Sequence, residues 1–243
     1  PDRAFQLPAG PVVGPRDEDP VLERLAADGL DLAAILVTHK HGDHVGGVAA
    51  LKARFPRALV FGPAGEPIPR RDRAVKDGDD IVVPGIDARF TVIGVPGHTE
   101  DHVAYVGDGA LFCGDTLFAA GCGRVFSGTH EQLHASLQRL AASSPSTLVY
   151  CAHEYTEANL GFAKWVEPDN VELTCRAEEV RLARSRGEPT LPSVIALERA
   201  TNPFLRVAEP AVIAAAERWA GRPLRHGAEV FRALRTWKDR EYD

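Results

Sequence analysis

The sequence predicts an α+β fold, with strands concentrated before His153 and helices filling the chain beyond it. Three observations carry this. Between Leu59 and Val106, short runs rich in Val, Ile and Phe alternate with turn residues, the pattern of sheet-forming segments. Beyond His153, apolar residues recur at helical spacing instead. Several strand-length apolar runs also end at once in His or Asp, which puts polar donors at strand ends.

The elements follow in order. Residues Pro1–Pro20 hold five prolines and no apolar stretch after a basic one, so they read as a Pro-rich lead-in and not a secretory signal. With no methionine anywhere and Pro1 in first place, the initiator is expected to have been removed, trimmed or never included. A short helix starts at Pro20, with Val21, Leu22 and Leu25 on one side and Asp28-Gly29 ending it. Leu32–Thr38 is a buried strand that delivers the polar segment His39–His44. A helix begins near Asp43, uses Val48, Leu51 and Phe55, and stops at Phe55-Pro56. Leu59–Gly62, Asp80–Gly85, Ala88–Gly97 and His102–Gly107 are strand runs, and Gly107-Asp108-Gly109 turns the last into Ala110–Cys113 as a hairpin. Thr129-x-x-Gln132 resembles a capping box for a helix over Glu131–Ser143. Thr147–Cys151 leads into His153. After it come helical patterns at Glu157–Trp165, Asp169–Ser185, Ser193–Arg199, Pro210–Ala220 and Gly227–Trp237, with no further strand. Pro168 and Gly187–Pro192 are breakers too short for a flexible linker, so these helices should pack directly on the sheet unit.

Composition excludes some functions. Against 34 Asp+Glu there are 28 Lys+Arg, a net charge of −6, and 44% of residues are hydrophobic, which is a soluble globular balance. No run approaches the ~20 apolar residues of a membrane helix, since Ala211–Ala216 is closed by Glu217 and Arg218. The basic residues are scattered, which argues against nucleic-acid binding. Four cysteines, Cys113, Cys122, Cys151 and Cys175, form no C-x-x-C pair, so a reducing, cytoplasmic setting is expected. Cys113, Cys151 and Cys175 read as core residues.

The chemistry concentrates in His39-Lys40-His41-Gly42-Asp43-His44. Three imidazoles and a carboxylate within six residues are costly to crowd together without a cation, and they are the donors divalent ions use. Alternate side chains of an extended segment point the same way, so His39 and His41 can grip one ion while Asp43 and His44 serve a second. His98, Asp115 and His153 each follow an apolar run. Seven donors are too many for one tetrahedral zinc and suit two ions sharing a carboxylate, for which Asp115 is the best bridge. The expected sets are His39, His41 and His98 on the first ion and Asp43, His44 and His153 on the second, with Asp115 on both. Two ions ~3.5–4 Å apart hold a hydroxide and polarise a carbonyl, so hydrolysis is expected. Asp43 and Asp115 are its catalytic carboxylates, with the metal-bridged hydroxide as nucleophile.

The H-x-H-x-D-H motif, followed by His, Asp and His after 54, 17 and 38 residues, resembles the metallo-β-lactamase fold. That resemblance implies an αββα sandwich with its metals at one edge of two sheets. Gly121–Thr129, Cys151–Ala163, Asn202–Arg206 and Leu234–Asp239 further resemble the glyoxalase II, or hydroxyacylglutathione hydrolase, family. This likeness runs from about Pro20 to Asp239 and implies a thiolester hydrolase, a catalytic domain over 1–166 and a helical substrate-binding domain over 167–243. The implied substrate is S-D-lactoylglutathione, cleaved to D-lactate and glutathione in the second step of methylglyoxal detoxification. Two divalent ions, zinc with iron or manganese as alternatives, and a monomer without nucleic-acid or membrane partners complete the expectation.

Arg124, Tyr155, Arg235 and Lys238 match family positions that hold glutathione, whose two carboxylates suit charge-assisted bonds from Arg and Lys, and Phe126 matches an aromatic position beside it. His102 is either a support behind the ligands or a core histidine. Ser127 replaces a usual acid, and Glu241 a usual aromatic. Val12–Arg16 lacks the usual turn Asp, so the first strand is expected to be disguised or missing, with an exposed sheet edge. Two rivals remain: a single-iron dioxygenase, which has no use for Asp43, His44 and His153, and a non-catalytic variant lacking an intact N-terminal sheet.

Overall fold

A computed structural model describes residues 9–83, 85–86 and 88–242, so the start of the lead-in lies outside the described residues. Two compact units emerge, one running to Gly94 and including Asp101–Asp108, the other made of Val95–Glu100 and the chain from Gly109 onward.

In the first unit, β1 (Ala9–Val13), β2 (Asp31–Leu36), β3 (Leu59–Pro63) and β4 (Arg73–Val75) form a parallel sheet in that order. Ala34 to Val37 are all fully buried, as expected where both faces of a parallel strand are covered. Helix α1 (Asp19–Asp28) ends at Gly29 with φ of 62°. Leu25 of that helix joins Leu32, Ile35, Val37, Val48, Leu51 and Val60 in one core cluster. The strand expected to be disguised or missing is present: β1 pairs in parallel with β2. Its register shifts between Gly10 and Pro11, where proline has no N–H to give, and this disguised it.

The helix expected from Asp43 to Phe55 is two: α2 (Gly42–Val45) and α3 (Val48–Arg54). Gly46 and Gly47 separate them where the chain at Arg16–Glu18 crosses; a Cβ on Gly46 would come within 2.3 Å of the Arg16 carbonyl oxygen. Strands β5 (Asp80–Val83), β6 (Ala88–Gly94) and β7 (Val103–Gly107) run antiparallel. Tyr105 on β7 donates its hydroxyl to the Val37 carbonyl at 2.8 Å, and the Val103 amide donates to Thr38. These bonds fix the end of β2, from which His39 emerges.

In the second unit, β8 (Ala110–Gly114) and β11 (Leu148–Cys151) are parallel neighbours. A small hairpin, β9 (Leu117–Phe118) and β10 (Gly121–Cys122), follows β8, and α4 (His130–Ala141) makes the crossover to β11. The capping box is present, with Thr129 and Gln132 each accepting from the other's backbone N–H. At the predicted turn Asp108 and Gly109 both have positive φ, 50° and 74°. Helices α5 (Thr156–Val166), α6 (Val171–Ser185), α7 (Ile195–Thr201), α8 (Pro210–Ala220) and α9 (Gly227–Glu241) follow. One strand was not anticipated after His153: β12 (Ser193–Val194) pairs with β11, too short for periodicity to reveal. Cys175 is exposed and not in the core, because α6 buries Leu173, Arg176 and Val180 on the opposite face. Among the described residues no helix is long and apolar enough to cross a membrane.

Candidate metal centre

The first unit brings four of the seven expected donors together. Past the end of β2 the chain is extended, and His41 caps α2 with β-region dihedrals of −63° and 147°. His39 Nε2 and His41 Nδ1 converge to 3.0 Å, and the His39 and His44 rings lie 4.0 Å apart. Asp43, in the first turn of α2, stands with Oδ2 3.8 Å from His44 Nε2. His39 and His44 are buried, while Lys40 faces solvent, as the alternation required. Thr38 Oγ1 holds His39 Nδ1 at 3.1 Å, which directs Nε2 toward His41. His102 is buried and stacked on His39, with centroids 4.5 Å apart, so it supports that ring from behind.

Sequence reasoning missed Glu66. Its buried carboxylate accepts the Lys40 amide at 2.6 Å and so pins the loop between His39 and His41. Nothing in its Gly- and Pro-rich surroundings marked it out.

The second unit brings the other three together, and its strand register explains how. β8 and β11 are parallel with Gly114 opposite Cys151, so Asp115 and His153 leave adjacent strand ends side by side. Asp115 is buried and turns one oxygen to each histidine: Oδ2 lies 3.6 Å from His98 Nε2, and Oδ1 lies 3.5 Å from His153 Nε2. His98 sits on a segment fastened to α4, where Ser136 Oγ donates to Pro96 O at 2.7 Å. Its Nδ1 is 2.8 Å from the Arg124 carbonyl. A carbonyl only accepts, so Nδ1 carries a proton, which leaves Nε2, facing Asp115, as the ring nitrogen that could ligate.

These separations test whether the residues fit a metal. Two donors ~2.1 Å from a tetrahedral ion stand about 3.4 Å apart. The pairs described above span 3.0 to 3.8 Å. The donors are nitrogen and carboxylate oxygen, suited to zinc and to iron or manganese. Within each unit, therefore, the donor pairs have a spacing that suits a divalent ion.

The five candidate substrate residues all lie in the second unit. Phe126 is 65% exposed and packs edge-on against His98 at 5.1 Å. Tyr155, 50% exposed, stacks on His153 at 5.0 Å, and Phe118 touches both rings. Arg124 is exposed and lies 3.7 Å from Asp239. Arg235 and Lys238 are buried instead, at 1% and 5% exposure, because α9 turns this face inward. The Arg235 guanidinium donates to Cys122 O at 3.0 Å and to Asp239 at 2.9 Å.

Residues 4–153 match the family model of the metallo-beta-lactamase superfamily, and the chain belongs to that superfamily. Residues 154–241 match the model described as hydroxyacylglutathione hydrolase C-terminus. A hydroxyacylglutathione hydrolase of Pseudomonas fluorescens is 56% identical over 230 residues, covering 94% of this chain and 89% of that protein. One from Alkalilimnicola ehrlichii is 54% identical over 238 residues, covering 98% and 92%. The chain is a member of the hydroxyacylglutathione hydrolase family. Among solved structures, ETHE1 from Myxococcus xanthus aligns with TM-score 0.64 at 26% identity, over 96% of this chain and 81% of that one. TTHA1623 in a di-iron-bound form aligns with TM-score 0.55 at 27% identity, over 79% and 87%.

Proposed function

We propose that this protein is a dinuclear-metal thiolester hydrolase that cleaves S-D-lactoylglutathione to D-lactate and glutathione. The observation that carries the reading is Asp115, whose two oxygens face two different imidazoles, as a carboxylate shared by two ions must. His39, His41 and His98 would hold one ion, and Asp43, His44 and His153 the other, with Asp115 common to both. Zinc is the proposed metal, with iron or manganese compatible with the same donors. Family membership and the di-iron form of a structural relative support two ions.

Two such ions supply an acidified water and a polarised carbonyl at neutral pH. The chain's residues do the rest. Asp43 and Asp115 would add negative charge to offset the cations, and the Arg124 carbonyl would keep the His98 proton on Nδ1 and so leave Nε2 to ligate. Water adds its oxygen to the acyl carbon and the C–S bond breaks. One proton of the water ends on the departing thiolate and the other leaves with the new carboxylic acid. Arg124 and Tyr155 would bind the carboxylate and peptide groups of glutathione, a reading supported by the exposure of both side chains and the stacking of Tyr155 on His153. Phe126 offers an apolar wall. Arg235 and Lys238 act from the buried face of α9, Arg235 by holding the Cys122 carbonyl. The helical segment 167–243 completes the substrate site, and a monomeric, cytoplasmic enzyme is the simplest setting.

The test is loss of thioester absorbance with S-D-lactoylglutathione, alongside metal analysis. Wild-type protein should carry two ions per chain and turn over. Asp115→Asn should lower kcat by about 10³-fold or more, several kcal/mol of barrier. Arg124→Ala should raise KM with little change in kcat. Folded protein that holds two ions and does not hydrolyse this thioester overturns the substrate assignment. A single bound iron overturns the dinuclear one.

A further inference from the structure

A buried side-chain cluster in the second unit lies apart from the ligands, and the expected chemistry does not use it. Glu198 on α7 is fully buried and its carboxylate takes four donors. Oε1 accepts from Arg176 Nη2 at 2.5 Å and from Ser193 Oγ at 2.5 Å. Oε2 accepts from Asn202 Nδ2 at 3.0 Å and from the Ala120 amide at 2.8 Å. The last bond reaches 78 residues back along the chain, to the turn of the β9–β10 hairpin. Asn202, also fully buried, donates to two more carbonyls of that hairpin, Phe118 at 3.2 Å and Gly121 at 2.9 Å.

The turn needs such support. Ala120 has φ of 56°, the left-handed region that residues with a Cβ avoid. A backbone held there persists only where its surroundings over-determine it. What the turn carries explains why it matters. Asp115 lies just before the hairpin and Arg124 just after it. The Gly123 amide donates back to Thr116 O at 3.3 Å, and a Cβ on Gly123 would stand 1.9 Å from the Asp115 carbonyl and 3.1 Å from His98 Nδ1. The Arg124 carbonyl in turn fixes His98. The path from Glu198 to the ligands is therefore short and bonded throughout.

We infer that Glu198 and Asn202 are positioning residues for the metal centre, setting the hairpin that presents Asp115 and fixes the His98 tautomer. The inference rests on the metal-centre reading above and extends it: the helical segment shapes the ligand set as well as the substrate site. Removing the residues behind a ligand costs metal sites on the order of 10–100-fold in affinity.

The experiment uses the full chain loaded with zinc. Metal release to a chelator in excess, cobalt absorption spectra and thermal melts are compared for wild type, Glu198→Gln, Asn202→Asp and the control Val212→Ala. Glu198→Gln keeps the shape and loses the charge. Asn202→Asp turns a carboxylate oxygen toward the two hairpin carbonyls. Val212 is a buried core residue of α8 that makes no bond to the hairpin. Both clamp variants should release metal about 10-fold faster or more and shift the cobalt spectrum, while Val212→Ala lowers the melting point alone. Clamp variants that melt lower yet keep wild-type release and spectrum overturn the inference and leave a purely structural cluster. If Asn202→Asp fails to fold, Glu198→Gln decides by the same readouts. Wild-type protein holding fewer than two ions overturns the metal-centre reading, and the inference falls with it.

Discussion

The two halves of the donor set are built in opposite ways. His39, His41, Asp43 and His44 come from one six-residue stretch, placed by an extended segment running into a four-residue helix. His98, Asp115 and His153 come from three separate strand ends, placed by register, a hairpin and distant side chains. A contiguous half takes the spacing of its donors from its own backbone periodicity, with Glu66, His102 and Tyr105 steadying it from elsewhere in the same unit. A dispersed half depends on whatever fixes each of its pieces.

Glycine substitutions break this comparison most sharply. Gly123→Ala would drive a methyl into the Asp115 carbonyl, so it should lower stability by about 3 kcal/mol and release metal. Gly42→Ala, inside the contiguous motif, meets nothing within 4 Å and should change stability by less than about 0.5 kcal/mol. Chemical denaturation of both variants checks the contrast, and equal effects would erase it.

Glu66 tests whether the contiguous half is as self-sufficient as it looks. Glu66→Ala leaves the Lys40 amide without its acceptor and should cost about 1–3 kcal/mol, read by denaturation. A loss of bound metal beyond that of Glu198→Gln would show that the first half also hangs on a remote group.

Acid sharpens the comparison from the other side. Burial holds the His134 imidazole on α4 below its ordinary value, with nearby His226 adding to the effect. A histidine with a depressed native pKa binds protons more readily when unfolded, so its contribution is present above about pH 6.5 and is lost as pH falls through the window below. Melting curves from pH 7.5 to 5 should therefore decline less in His134→Gln than in wild type.

The smallest perturbation is thiol labelling. Burial pushes the Cys122 thiol up to about 11, the Cys151 thiol up to about 12, and Cys113 well above its usual range. Cys113 lies in β8 and Cys151 in β11, the strands that lead to Asp115 and His153, and Cys122 lies in β10 of the hairpin that follows Asp115. A maleimide at pH 7.5 should modify Cys175 alone in native protein, by mass spectrometry, and label at the other three would report opening of the dispersed half.

How much was legible follows from the same contrast. The motif at His39–His44 announced itself because its donors are neighbours in sequence. Asp115 and His153 were legible as strand-end residues, while the register that joins them, Gly114 opposite Cys151, has no local signature. β1 escaped notice because Pro11 interrupts its pattern, and β12 because two residues carry no period. Arg235 reads from the resemblance as a glutathione contact, yet it lies buried with its guanidinium donating to the Cys122 carbonyl and to Asp239. Glu198 and Asn202 were invisible as supports because their bonds span about eighty residues of chain.

The grip of α7 on the β9–β10 turn bears on modularity. Family models divide the chain between His153 and Glu154, as though a lactamase-like part and an added helical part could be separated there. A protein shortened at that boundary would keep every proposed metal ligand and still lose Glu198, Asn202 and the β12 edge of β11. Ala120 would then have no carboxylate to hold it left-handed. Transplanting the helices onto another lactamase-like scaffold would fail for the same reason unless the hairpin moved with them. On the inference above, the helical segment and the hairpin that presents Asp115 have to be kept together.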